Sequence, residues 1–184
     1  MSLHIQEPWT LPVPNTTAYL NEFRDFKLRL ISSDVEFNIN KESVKKYKNE
    51  LFFIKSNFPN DIIAGSLALN LLGLIDREIS DIDILIDDVN RYSNYNLSSY
   101  KEDTIVNRLG FIYFNYKRNF FTRRRYYTVD FFKNVNADYI EFEFQGTTLK
   151  VQHPLMIMSL KREMNNRHKH CRDLEIIFQK FDSF

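Results

Sequence analysis

Asp81 and Asp83 lie one residue apart in the run "DIDILI", sixteen residues after the pair Gly65-Ser66. Taken as a strand, that run turns Ile82, Ile84 and Ile86 to one face and both aspartates to the other, because strand side chains repeat every two residues. Two carboxylates a few ångströms apart repel unless a cation or a proton lies between them. The pair is therefore either a solvated strand face or part of a metal site. A third acid, Asp130, sits in the aromatic run "YTVDFF" and points the same way as Thr128 and Phe132. It reads as a hydrogen-bonded core acid, a strand-edge charge or a third ligand. Three carboxylates on adjacent strands supply the hard oxygen ligands that Mg²⁺ needs. Two such ions, roughly 3.5–4 Å apart, activate an attacking hydroxyl and stabilise phosphate oxygens in an in-line displacement.

Gly65-Ser66 falls where a strand meets a helix. Gly65 permits close backbone approach, and the Ser66 hydroxyl with exposed N–H groups can hold a phosphate. The plainer reading is a strand–helix turn capped by Ser66. Arg77, in the loop before "DIDILI", can pair with an acid or with phosphate. Lys161 flanks the apolar stripe of a later helix, where a lysine either carries its amine out to water or grips a phosphate. Asp173 flanks the next stripe, as a first-turn acid favoured by the helix dipole or as part of a site. His168 and His170 have no cysteine or histidine partner at zinc spacing.

The elements that must position these residues follow from periodicity and punctuation. Pro8, Pro12 and Pro14 mark an extended lead-in, and "TTAYLNEFRDFKLRLI" has helical spacing. "NKESVKKYKNELFFIKSNF" predicts one helix capped by Asn40, with a stripe of Val44, Tyr47, Leu51 and Ile54. Pro59-Asn60 ends it. "DIIAG" is a short strand and "SLALNLLGL" a short helix closing near Gly73. "VNRYSNYNLSSYKED" reads as a surface loop, and "DTIVNRLGF" as a helix ended by Gly110. "FIYFNYK" and "YYTVDFF" are aromatic strands. "YIEFEF" and "TTLKVQ", joined by Gln145-Gly146, form a hairpin. "PLMIMSLKREMNN", opened by Pro154, and "KHCRDLEIIFQKF" are helices.

The composition suits one soluble α+β domain. With 184 residues, 43% of them apolar and 15% aromatic, the chain can bury a real core. A net charge of +1 argues against a general coat for nucleic acid. No run is long and apolar enough to span a bilayer, and the lone Cys171 points to a reducing, cytoplasmic setting. Local charge is another matter. "KRNFFTRRR" gathers five cations in nine residues (Lys117, Arg118, Arg123, Arg124, Arg125) around Phe120 and Phe121. Such a loop is either solvated or a grip on an RNA backbone with stacked bases.

The stretch "AGSLALNLLGLIDREISDIDILID" resembles the signature of the nucleotidyltransferase-fold superfamily, the polymerase-beta-like fold. Gly65, Ser66, Ala68, Leu69, Gly73, Arg77, Asp81, Ile82 and Asp83 fill the places of the pattern in its small bacterial and phage branch. The spacing after Gly73 is about one residue longer than that pattern. "SLKREMNNRHKHCRDLEIIF" resembles the tail of the same branch, which includes abortive-infection-type toxins, through Lys161, Arg167, Lys169, Asp173 and Leu174. Together the likeness covers roughly residues 60–180.

That resemblance implies a nucleotidyltransferase-like mixed β-sheet flanked by helices. A helical extension (1–59) would precede a core (60–152), and a C-terminal helical pair (153–184) would follow it. It implies transfer of a nucleoside monophosphate from an NTP, with pyrophosphate released. Asp81 and Asp83 would ligate Mg²⁺ or Mn²⁺, and Asp130 would complete the metal site and help deprotonate the acceptor. Gly65, Ser66 and Arg77 would meet the nucleotide phosphates. Lys161 would assist with charge, and Asp173 would support the site or orient Lys161. The acceptor is open among RNA or a tRNA end, a protein and a small molecule, and an antitoxin protein is a further expected partner. The rivals are an inactive member of the fold acting as a binding module and an RNA-binding protein using the basic loop. Clustered carboxylates favour the enzyme, since a metal-free site has no physical need of them.

Overall fold

Apolar and aromatic runs that alternate with period two become strands, and the described ones join a single mixed sheet. The computed structural model describes residues 35–95, 112–114, 120–121, 126–133, 137–163 and 168–181. Its strands are β1 (Ile62–Ala64), β2 (Asp81–Ile86), β3 (Ile112–Phe114), β4 (Phe120–Phe121), β5 (Tyr126–Lys133), β6 (Tyr139–Phe144) and β7 (Thr147–Gln152). The order is β3-β5-β2-β1-β7-β6, with β4 paired to β5. β2 runs antiparallel to β1 and parallel to β5, and β1 runs parallel to β7. The helices are α1 (Lys41–Lys46), α2 (Lys48–Asn57), α3 (Gly65–Leu71), α4 (Pro154–Glu163) and α5 (His168–Phe181). The architecture is α+β. The helices expected over 16–31 and 103–111, and the cations Lys117, Arg118, Arg123, Arg124 and Arg125, lie outside the described residues.

Local signals account for most boundaries. Gln145 and Gly146 take φ of 53° and 74° between β6 and β7, the left-handed pair that a two-residue hairpin of matching twist requires. Asn40 caps α1 by accepting the Ser43 N–H at 3.0 Å. The single helix expected over 40–58 is instead two, broken at Tyr47 (φ −102°, ψ 24°). The expected stripe still reaches the core, with Tyr47, Leu51 and Ile54 buried. α3 packs on β1, β2 and β7 and buries Leu67, Leu69 and Leu71, each contributing about 1.5–3 kcal/mol through apolar burial.

The described part of the segment after β2, residues 89–95, is mostly exposed as its composition suggests, but it is not irregular. Val89–Tyr95 forms a 3₁₀ stretch kinked at Tyr92. Tyr92 is buried, with its ring 5.7 Å from Phe58 and 5.6 Å from Phe131. One aromatic anchor outweighs the polar composition of its neighbours.

The chain divides into two compact units. One is 37–157 and holds the sheet, α1, α2 and α3, so residues 37–59 belong with the sheet. The described residues 158–163 and 168–181 belong to the other, where α5 buries Leu174, Ile177 and Phe178 along one stripe. Among the described residues, no helix is long and apolar enough to cross a membrane.

Candidate metal centre

Register brings the three acids together. On β1 and β2, Ala64 lies opposite Asp83; on the parallel strands β2 and β5, Asp83 lies opposite Asp130 and Asp81 opposite Thr128. Directly opposed residues share a face, so Asp81, Asp83 and Asp130 point the same way. Their intervening neighbours Ile82, Ile84, Val129 and Phe131 are fully buried, and the acids themselves are half-buried. One carboxylate oxygen from each lies within 4.8 Å of the others. Ser80 donates its hydroxyl to Asp81 Oδ1 at 3.2 Å.

The backbone beside them is shaped for this cluster. Gly65 follows β1 with φ +60°, and a Cβ there would overlap the Asp83 carboxylate. Only glycine both tolerates the left-handed conformation and leaves that volume to Asp83. Three convergent, half-buried carboxylates could hold a small hard cation such as Mg²⁺ or Mn²⁺. Without one, opposed like charges on paired strands are destabilising.

Ser66 and Arg77 also meet here, in a different relation from the one their types suggest. Ser66 is 8% exposed, and its hydroxyl oxygen accepts a hydrogen bond from Arg77 Nη2 at 2.6 Å. Arg77 Nη1 donates to the Glu78 carbonyl at 3.1 Å. The backbone carbonyl of Arg77 accepts in turn from the Tyr47 hydroxyl at 2.9 Å. Burial pushes the Tyr47 phenol above its ordinary range, keeping it a neutral donor.

Lys161 and Asp173, in the second unit, are brought to each other. Lys161 Nζ lies 2.8 Å from Asp173 Oδ2 and 3.2 Å from His170 Nδ1, and all three residues are buried. The reading of Lys161 as an amine carried out to water is thereby corrected, since its side chain is 5% exposed. Asp173 is likewise no first-turn acid: it is the sixth residue of α5 and finds its charge partner in Lys161. The pairing of Asp173 with Lys161 is the one the resemblance implies, while His170, one helical turn before Asp173, joins them through the fold.

Sequence reasoning missed a second charged cluster. Asp61, just before β1, is 2% exposed and accepts from Arg91 Nη2 at 2.9 Å and from the Tyr92 hydroxyl. Arg91 also pairs with Asp87. Burial lifts the Asp61 carboxyl above its usual range, against the opposing pull of Tyr92 and Arg91. The i, i+4 spacing of Asp87 and Arg91 was a usable signal. Compared with models of known protein families, with curated proteins and with solved structures, the chain finds no match.

Proposed function

We propose that the protein is a metal-dependent nucleotidyltransferase that moves a nucleoside monophosphate from an NTP to an acceptor hydroxyl. The observation that carries this reading is the convergence of Asp81, Asp83 and Asp130 beside a glycine whose missing side chain makes room for one of them. A solvated strand face would let its charges spread, and nothing in it would call for that glycine.

Asp81, Asp83 and Asp130 would hold Mg²⁺ or Mn²⁺, which when bound stabilises charge on phosphate oxygens and acidifies the attacking hydroxyl. Asp83 occupies the volume that a side chain at position 65 would fill. Asp130, directly opposite Asp83, takes the proton from the acceptor hydroxyl onto a carboxylate oxygen. The acceptor oxygen forms a bond to the α-phosphorus as the bond to the bridging oxygen of the β-phosphate breaks. Pyrophosphate leaves with that electron pair.

The test is to incubate the protein with each α-labelled NTP, Mg²⁺ or Mn²⁺, and a cell extract afterwards separated into RNA, protein and small molecules. Label is expected in one fraction, which identifies the acceptor class, and the four nucleotides compared identify the donor. Asp83→Asn and Asp130→Asn should each abolish labelling. Labelling retained in both would remove the carboxylates from the chemistry, and no label in any fraction would favour a binding module of the same fold.

A further inference from the structure

Residues paired across a sheet stand in one row, and the row through the carboxylates runs on past them. Asp130 lies opposite Asp83, and Asp83 opposite Ala64. The parallel pairing of β1 with β7 sets Ile63 beside Val151, so the next step along both strands sets Ala64 beside Gln152. Gln152 in turn lies opposite Tyr139 on β6. Ile63 and Val151 are fully buried on the other face of the sheet. Strand side chains alternate, so Gln152 emerges on the face that carries Asp83 and Asp130.

On that face of β7, Thr148 is exposed and Lys150 half-buried, whereas Gln152 is 1% exposed. Its Nε2 has no hydrogen-bond acceptor among the described residues. A buried carboxamide ordinarily has partners, because an unmade bond leaves the desolvation of the group uncompensated. The row supplies none. Ala64 has only a methyl group, and the Tyr139 ring lies under Lys150 Nζ, 4.7 Å from its centroid. A position used for packing alone would take an apolar residue, as Leu149 and Val151 do on the other face. Two strand spacings, about 10 Å, separate Gln152 from Asp83 along the row. A nucleotide whose α-phosphate meets the carboxylates extends its sugar and base over a comparable distance.

We propose that Gln152 is the specificity-determining residue of this site: its amide donates to an acceptor on the base of the nucleoside triphosphate and so selects the nucleotide. The ligand's class rests on the nucleotidyl-transfer reading. Bases differ in where their donors and acceptors lie, and a glutamine carboxamide presents one of each side by side. Because this amide is out of water, a base that leaves it unpaired is rejected more strongly than at a wetted surface.

The probes are the four NTPs with Mg²⁺, each titrated calorimetrically into the full chain, with inorganic tripolyphosphate and Mg²⁺ as the base-free control. The wild-type protein should favour one nucleotide over at least one other by about 10-fold or more, the scale of one buried hydrogen bond. Gln152→Met, similar in length and apolar, should bring the four to within about threefold of one another by weakening the favoured one. Tripolyphosphate affinity should not change. Gln152→Ala should behave in the same way. In urea, Gln152→Met should be at least as stable as wild type, because it removes a donor that folding leaves unpaired, so a lost preference is not a lost fold. In the labelling assay the spread of kcat/KM among the nucleotides should narrow to match.

A wild-type preference retained in Gln152→Met would overturn the proposal and leave the amide to a buried water. A parallel fall in tripolyphosphate affinity would also overturn it, by removing the base from the effect. Equal affinity of the wild-type protein for all four nucleotides overturns it too, and label transfer in that case leaves nucleotidyl transfer standing. Absence of both nucleotide binding and label transfer removes both readings.

Discussion

β1 and β2 carry aspartates at both ends, and the two ends are built on opposite principles. At one end, Asp61 and Asp87 share Arg91, and Asp61 also takes the Tyr92 hydroxyl. At the other, Asp81, Asp83 and Asp130 are set within 4.8 Å of one another across β2 and β5. The first end gathers opposite charges around a buried carboxylate, which fastens the 3₁₀ stretch to the sheet. The second gathers like charges in a half-buried place, an arrangement that gains from an added cation. The first end is a buried network of opposite charges, and the second is a set of carboxylates close enough together to hold a metal ion.

The sharpest way to break that contrast is Gly65→Ala. The left-handed backbone costs an ordinary residue about 1–2 kcal/mol, and the added Cβ would push the Asp83 carboxylate from its place. On the proposed function, label transfer should fall by orders of magnitude, as in Asp83→Asn, because Asp83 would hold the metal ion that stabilises the phosphate charge. Mg²⁺ with NTP should raise the Tm of the wild-type protein, since a ligand that binds the folded state stabilises it, and should not raise that of Gly65→Ala. Near-normal transfer in Gly65→Ala would mean that Asp83 is not a ligand.

Next in size are substitutions expected to act with opposite signs at the two ends. Asp61→Ala removes the buried acceptor that Arg91 and the Tyr92 hydroxyl share, leaving Arg91 its pairing with Asp87. It should cost about 3 kcal/mol, at the low end for a broken buried pair because Arg91 is partly exposed. By the usual scaling that is a drop of roughly 6–12 °C in Tm. Asp81→Asn combined with Asp83→Asn removes like charges, so the metal-free protein should be as stable as wild type or up to about 1 kcal/mol more so. Urea unfolding of both variants in the presence of a chelator measures the pair. Equal destabilisation at the two ends would make the carboxylate cluster an ordinary structural network.

Much of the site was legible before the fold. The alternation of "DIDILI" predicted the face that Asp81 and Asp83 share, and the same period placed Asp130 correctly on its own strand. Gln145-Gly146 was readable because a tight hairpin admits few residue types. Strand-by-strand reading could not supply the register that sets Asp83 opposite Asp130, because parallel pairing joins segments far apart in sequence. The break at Tyr47 escaped because the apolar stripe continues across it: the hydroxyl, not the ring, is tied to the Arg77 carbonyl. The family resemblance had already set Asp173 to orient Lys161, and the two do pair; their third partner, His170, was not foreseen because it is brought in from the following helix. Contacts between distant segments are where local patterning falls silent.

The smallest expected effect tests the first end through pH. Burial raises the Asp61 carboxyl above its ordinary 3.8, outweighing Tyr92 and Arg91. The folded state then binds this proton more readily than the unfolded chain. Its contribution to stability is fully present below that ordinary value and is lost as pH rises through the raised one. His153 behaves oppositely. Burial lowers it from 6.5, so its contribution is present above that value and is lost as pH falls through the lowered one. Unfolding free energies measured against pH should therefore separate the two. The stability of wild type relative to Asp61→Asn should increase towards acid, across the window between the raised Asp61 value and the ordinary one. His153→Asn, which retains a side-chain acceptor for the Leu155 N–H, should remove a loss of stability that begins below about pH 6.5. If wild type instead loses ground to Asp61→Asn as the pH falls through that window, Arg91 and Tyr92 outweigh burial at Asp61. The buried end would then be held by its charges more strongly than its surroundings oppose them, and the contrast with the carboxylate end would widen.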